Sequence, residues 1–235
     1  MIQYIRSAIF NILFLIETTF FSILATLSIC FPKGVLIKIA YIWSYTSLVL
    51  LKYICHITYD IKGKENIPSG KHVIFASKHQ SAWETIAYQY LLKNCIFMFK
   101  KELAFIPFFG ITLIKAGNIM VDRGNANKKT LNNLVKKFKN ALKVRNVIIF
   151  PEGTRTKPHT TPKYKSGLSI ISQQLNDTWV VPIAMNAGEY WPKHGFLKKQ
   201  GVIKVRILPP ISTNLDKEEF QEKLVSSIEN EMKKL

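Results

Sequence analysis

Acidic residues are scarce in this chain. Fifteen Asp and Glu stand against 33 Lys and Arg in 235 residues, a formal net charge of +18. Such a balance favours anionic partners: nucleic acid, an acidic membrane surface, phosphorylated substrates or an acidic carrier protein. Cysteine is sparse as well. Cys30, Cys55 and Cys95 are odd in number and far apart, which fits neither a disulfide framework nor a metal cluster, and reads as reduced thiols on the cytoplasmic side. The chain also lacks zinc-finger spacing and any RNP-like motif, so nucleic acid is not the expected partner. It has no internal repeat and no low-complexity segment.

Long apolar runs are confined to the first 60 residues. Residues 8–31 hold one charge, Glu17, and residues 35–55 hold only Lys38 and Lys52. Each run could cross much or all of a hydrocarbon layer, which takes about 20 helical residues. Pro32-Lys33-Gly34 separates them. The first run is too long for a signal-peptide core, and no small-x-small site closes it. A pair of membrane-associated helices is expected, spanning or lying in one leaflet, with Phe20, Phe21, Phe31, Tyr41, Trp43 and Tyr45 near the interface. Glu17 weighs against a simple span, because a carboxylate at mid-membrane costs a few kcal/mol. Only four of the basic and two of the acidic residues fall in 1–60, so nearly all the positive charge lies on residues 61–235.

From residue 61 onward short apolar runs alternate with helical periods. Strands are expected at 73–76, 96–99, 119–121, 147–150, 180–184 and 202–207, and helices at 83–93, 127–145 and 165–175. Continuous rather than alternating apolar strands imply a sheet covered on both faces. The fold class expected is α/β, a central largely parallel or mixed sheet flanked by helices. Residues 66–70 are the expected hinge after the N-terminal pair. In 127–145, Leu131, Leu134, Val135, Phe138 and Leu142 share one face. Lys128, Lys129, Lys136, Lys137, Lys139, Lys143 and Arg145 supply the other. That basic face is either simply solvated or rests on anionic lipid. From Asp216, the four-residue spacing of Phe220, Leu224, Ile228 and Met232 predicts a packing helix.

The chemistry centres on Lys78-His79-Gln80-Ser81-Ala82-Trp83-Glu84. His79 emerges at the carboxyl end of the 73–76 strand, the edge where open α/β sheets place ligands. Glu84, in the first turn of the next helix, can reach back to one imidazole nitrogen, fix the tautomer and leave the other nitrogen as a base. Ser81-Ala82-Trp83-Glu84 also matches a capping box, so capping alone would account for Glu84. No Ser or Cys nucleophile is evident, so the base should act on a substrate hydroxyl. Two further strands end near an arginine, at Gly117-Asn118-Ile119-Met120-Val121-Asp122-Arg123 and at Phe150-Pro151-Glu152-Gly153-Thr154-Arg155-Thr156. Paired arginines at such edges can clamp a phosphate, although either alone could be a surface ion pair.

Over most of residues 60–210 these segments resemble the glycerolipid acyltransferase family, in particular its 1-acyl-glycerol-3-phosphate (lysophosphatidic acid) acyltransferases. His79 and Glu84 resemble the first family motif, 117–123 the second, 150–155 the third almost literally, and Val181-Pro182-Ile183 the fourth. Lys100-Lys101-Glu102-Leu103 and 106–110 also fit. Three positions depart from the pattern: Glu84 stands where aspartate is usual, Lys78 replaces the asparagine before the histidine, and Thr156 replaces a serine. The resemblance implies that His79 is the general base on the sn-2 hydroxyl of lysophosphatidic acid, with Glu84 orienting it, and that the alkoxide attacks an acyl thioester directly. It implies that Arg155, Arg123 and Lys100 hold the acceptor phosphate. Pro151, Glu152, Gly153 and Thr154 would shape that pocket, and Val181 and Pro182 would line the acyl path. The donor would be acyl-CoA or acyl-carrier protein, with no metal and no bound cofactor. The catalytic domain would rest on anionic lipids at the inner, cytoplasmic leaflet. Two alternatives stay open: another lyso-lipid as acceptor, and a non-catalytic basic membrane-binding protein.

Overall fold

Most of the apolar runs form strands close to their expected limits. The computed structural model describes the chain except residues 94, 107, 108, 123–127 and 176, and except the side chains of residues 128 and 129. The chain starts with α1 (Ile2–Leu27) and α2 (Lys33–Cys55), followed by β1 (Ile57–Lys62), β2 (Ile74–Ser77), α3 (Trp83–Leu91) and β3 (Cys95–Lys100). Next come α4 (Phe109–Lys115), β4 (Ile119–Val121), α5 (Lys128–Leu142), β5 (Asn146–Ile149), α6 (Gly167–Ser172) and β6 (Trp179–Met185). The chain closes with α7 (Ala187–Tyr190), β7 (Gly201–Ile207), β8 (Ile211–Ser212) and α8 (Lys217–Met232).

The strands make one mixed sheet in the order β1-β7-β6-β2-β5-β3-β4, with β8 also on β6. β6, β2, β5, β3 and β4 run parallel, while β7 and β8 are antiparallel to β6. Alternate residues of the central strands serve opposite cores. Phe75, Ile148 and Val181 pack with Phe10, Leu48 and Trp83 beneath α1–α3. Ile74, Val147 and Val180 pack with Phe138, Leu168 and Phe220 beneath α5, α6 and α8. In α8 the expected stripe is realised: Phe220, Leu224 and Ile228 are wholly buried, each contributing about 1.5–3 kcal/mol by removal from water. Asp216 caps this helix, its carboxylate accepting from Glu219 N at 2.8 Å.

Three expectations change. Residues 66–70 are not a hinge between units, because β1 precedes them and is already paired along its length with β7; they link β1 to β2. β1 also runs across residue 60, where the N-terminal pair was expected to end. Its Ile57-Thr58-Tyr59 follows an apolar helix with no turn residue to mark the change. Arg145 does not join the basic face of α5. That helix ends at Leu142, and Arg145, 6% exposed, turns inward to donate from Nη2 to Ala116 O at 2.6 Å.

α1 and α2 are both long and apolar enough to cross a membrane. Pro32 caps α2 after a short turn. Glu17 is satisfied between the helices, accepting from the hydroxyls of Thr46 and Ser47. α2 packs on α3: Ser44 Oγ donates to Ile86 O at 2.6 Å, and Tyr41 and Tyr45 lie 5.0 and 5.2 Å from the Tyr90 ring. The start of α1 is tied to the 196–200 segment, through Gln3 Nε2 to Lys198 O and Lys198 N to Ser7 Oγ. Phe10 meets Trp191 edge-on at 5.4 Å. The outer side of α1 leaves Ile5, Ile9, Ile12, Ile16, Ile23 and Leu27 exposed. A single residue in left-handed conformation, His56 (φ 53, ψ 40), joins α2 to β1.

Candidate active site

Strand β2 is central, between β6 and β5, and its ladder continues one residue beyond the strand, with Lys78 N donating to Ile183 O at 2.9 Å. His79 is therefore the first residue free of the sheet, at the carboxyl edge shared by the parallel strands. It is held on every side. Its backbone N–H donates to Glu152 Oε1 at 3.0 Å. Its carbonyl accepts from Thr156 N at 2.7 Å and Thr156 Oγ1 at 3.1 Å. Its ring stacks on Phe150, with centroids 4.0 Å apart and planes at 14°. Nδ1 lies 2.7 Å from Glu84 Oε1. That leaves Nε2 as the nitrogen for a reacting group, on a side chain still 13% exposed.

Glu84 touches both the His79 ring and the backbone ahead of α3, although α3 has Ala82 rather than Ser81 at its N-cap position and no side-chain cap bond there. Oε1 takes the His79 ring and also accepts from Gln80 N and Ser81 N at 2.7 and 2.8 Å. Ser81 Oγ in turn accepts from Trp83 N at 3.1 Å. The bonds ahead of α3 and the contact on the imidazole form one cluster. Glu84 is fully buried, and Oε2 lacks a hydrogen-bond partner within the described protein.

The turn after β5 supplies the opposite wall. Gly153 has φ 71, a conformation that favours glycine, and its N–H closes the turn on Phe150 O at 2.9 Å. The turn sends the Glu152 side chain inward, where it is 2% exposed. Burial pushes the Glu152 carboxyl up to about 7; its own backbone N–H, that of His79 and nearby Lys78 oppose the rise, and Glu84 adds to it. Pro151 is buried, and its carbonyl accepts from Lys165 N at 2.9 Å.

Of the residues expected to hold phosphate, Arg155 is half-buried beyond the Gly153 turn and Lys100 is exposed at the end of β3, on the same edge. Arg123 lies outside the described residues. Thr154 is exposed and accepts from Lys193 Nζ at 3.4 Å, and the same Nζ donates to Arg155 O at 3.3 Å. Val181 and Pro182, expected along the acyl path, lie inside β6 opposite Phe75 and Ala76. Both are buried, Val181 in the core beneath α1–α3.

Several contributors carry no signal in local spacing. Lys78 is 1% exposed, and its Nζ pairs with Glu229 Oε1 of α8 at 2.5 Å. Tyr164 OH bonds the same oxygen at 2.6 Å. Gln80 reaches α7, its Oε1 accepting from Gly188 N at 3.3 Å. Lys193 likewise comes from a distant loop. Phe150 and Thr156 flank a motif visible in the sequence, but their grip on His79 depends on β5 lying beside β2.

This arrangement accords with known proteins. A family model described as Acyltransferase matches residues 58–186. A Pseudomonas aeruginosa protein named 1-acyl-sn-glycerol-3-phosphate acyltransferase is 38% identical over 168 residues, covering 71% of this chain and 64% of that protein. A Saccharomyces cerevisiae protein of the same name is 29% identical over 195 residues, covering 79% of this chain and 63% of that one. The matches thus span a little under two thirds of each relative's length. The crystal structure of the 1-acyl-sn-glycerophosphate (LPA) acyltransferase PlsC from Thermotoga maritima superposes with a TM-score of 0.77 at 20% identity, covering 99% of this chain and 97% of that one, which shows the same fold. With the family model matching more than half of its length, the chain belongs to the Acyltransferase family.

Proposed function

We propose that this protein transfers a fatty acyl group from an acyl thioester to the sn-2 hydroxyl of lysophosphatidic acid, giving phosphatidic acid. The observation that carries the reading is His79. Its Nδ1 is engaged by a buried carboxylate, its backbone is fixed by the turn after β5, and Nε2 is left for a hydroxyl proton. The names of the relatives support the choice of acceptor.

In this mechanism Nε2 takes the proton as the acceptor oxygen attacks the thioester carbonyl. Glu84 stabilises the imidazolium that forms, as in serine-hydrolase triads. Collapse of the tetrahedral intermediate breaks the C–S bond, and the proton passes from His79 to the leaving thiolate. Arg155 and Lys100, with Arg123 and the neighbouring Lys193, hold the acceptor phosphate and raise the potential at the sheet edge. The donor is acyl-CoA or acyl-carrier protein; both are anionic and suit this charge.

The protein works at a membrane surface. α2 is packed along α3 and α1 is tied to the 196–200 segment. An upright span would therefore carry the polar domain into hydrocarbon with it. Both helices accordingly lie in one leaflet, the cytoplasmic one, with the outer side of α1 immersed.

Purified protein incubated with a panel of lyso-lipids and each thioester donor tests this reading, with products read by mass spectrometry. Phosphatidic acid should dominate. Preferred acylation of another lyso-lipid would replace the acceptor, and no transfer with any pair would remove the activity.

A further inference from the structure

On the opposite edge of the sheet from His79, two cations converge with no carboxylate paired to either among the described residues. Arg145 precedes β5, and Gly117 lies two residues before β4, so both sit at the amino ends of parallel strands. Lys33, at the first position of α2, reaches the same place. A methyl group built on Gly117 would stand 2.3 Å from Lys33 Nζ and 2.7 Å from Arg145 Nη2. Gly117 has φ 82 and puts no side chain between them, while the same Arg145 Nη2 donates to Ala116 O at 2.6 Å. Among the described residues neither is ion-paired. Arg145 is 6% exposed, and burial holds its guanidinium below its ordinary value. A second positive charge beside a buried guanidinium is repelled by it, and a bound anion relieves that repulsion.

The surroundings select the kind of anion. Lys115 Nζ donates to Ser28 O and Phe31 O at 3.3 and 2.7 Å, tying the end of α4 to the tip of the helical pair. At that tip Leu27, Phe31, Val35, Ile111 and Ile114 are all exposed. An oxyanion site rimmed by bare apolar side chains suits a phosphate that arrives with acyl chains attached. The geometry points to a headgroup site at the tip of the α1–α2 pair, where Lys33 and Arg145 bind the phosphate of an anionic glycerophospholipid. The site is separate from the acceptor pocket. α1 is about 39 Å long at 1.5 Å per residue and runs from the 196–200 segment to this tip, so the protein touches the membrane at both ends of that helix.

Vesicle flotation of the full chain tests the site. The vesicles are phosphatidylcholine alone or with about one lipid in five replaced by phosphatidylglycerol, which is neither substrate nor product of the proposed reaction. The native protein should bind the mixed vesicles more tightly. Lys33→Gln should lose about five-fold or more of that gain and Arg145→Gln at least as much, with binding to phosphatidylcholine unchanged. Lys136→Gln, which removes an equal charge from the exposed face of α5, should lose less than half as much. Equal losses in Lys33→Gln and Lys136→Gln would mean diffuse charge and overturn the proposal, as would no loss in Lys33→Gln. Lys33 is exposed, so that variant keeps its fold, and thermal melting checks Arg145→Gln. Inorganic phosphate separates the sources. If millimolar phosphate raises the melting temperature through Lys33 while the vesicle response of Lys33→Gln stays native, the occupant is a soluble anion and the lipid assignment fails. His79→Ala should float like the native protein, so this site and the acyl-transfer reading fail independently.

Discussion

Glu152 Oε1 accepts a hydrogen bond from the backbone N–H of His79 at 3.0 Å. The acid of the turn after β5 thus helps to hold His79 in place after β2. Because burial lifts its carboxyl from 4.5 to about 7, folding favours its protonated form. The unfolded chain binds fewer protons than the native one between about 4.5 and 7, so this group's contribution to stability falls as pH rises through that window and is level above it. At 1.36 kcal/mol per unit the whole effect is up to about 3 kcal/mol. Glu152→Gln, neutral at every pH, should lack this slope. Melting temperatures of both proteins from pH 4.5 to 8 check it, and parallel curves would refute the assignment.

His79→Ala should lower acyl transfer by about 100- to 10,000-fold, the usual range for a general base, with the circular dichroism spectrum unchanged. Turnover near the native rate would sink the mechanism.

Glu84 separates two effects. Glu84→Gln keeps an acceptor oxygen for Gln80 N and Ser81 N but loses the charge that supports an imidazolium, so kcat should fall with little change in melting. Glu84→Ala leaves both buried N–H groups unpaired, at about 1–3 kcal/mol each, and should lower both. If the two variants melt alike, the backbone bonds contribute little.

The Lys78–Glu229 pair is almost wholly buried on the lysine side. Removing one partner strands a charge and should cost about 3–5 kcal/mol. Glu229→Gln should therefore melt well below the native protein. Lys78→Asn combined with Glu229→Gln should recover most of the loss. A double-mutant cycle in urea measures the coupling, and additive losses would show that the pair acts independently.

Arg155→Ala should raise KM for the lyso-lipid about ten- to a hundred-fold, the range for a lost charge-assisted bond, with a smaller change in kcat. A rise confined to the thioester donor would move Arg155 to the other substrate.

Most of the six expected strands are legible because both faces of the sheet are covered, which makes them continuous apolar runs between turn signals; β7 instead alternates, with Lys204 and Arg206 on its outer face. β1 escaped because its edge position makes Tyr59 and Asp60 tolerable and α2 abuts it without a break. α4 escaped because Phe109–Lys115 is barely two turns long. His79, Glu84 and the 150–156 turn were readable as local patterns. Which groups grip which was not: Thr156 meets His79 across 77 residues and Glu229 meets Lys78 across 151, separations that leave no periodicity in the chain. The inward turn of Arg145 depends on where α5 stops, which its amphipathic pattern does not mark.

The one-residue joint at His56 has a mechanical consequence. A flexible tether would let the domain sample many heights and tilts above the bilayer. If the pair lies in a leaflet as proposed, the direct run of α2 into an edge strand makes the lie of the helix the attitude of the whole sheet. Under the proposed activity, the depth at which His79 meets a lipid hydroxyl would follow helix immersion, and a change in bilayer thickness or packing would reach this edge as a rigid displacement. Inserting a few glycines here would remove only this one link, leaving the α2–α3 and α1 to 196–200 contacts to hold the pair against the domain.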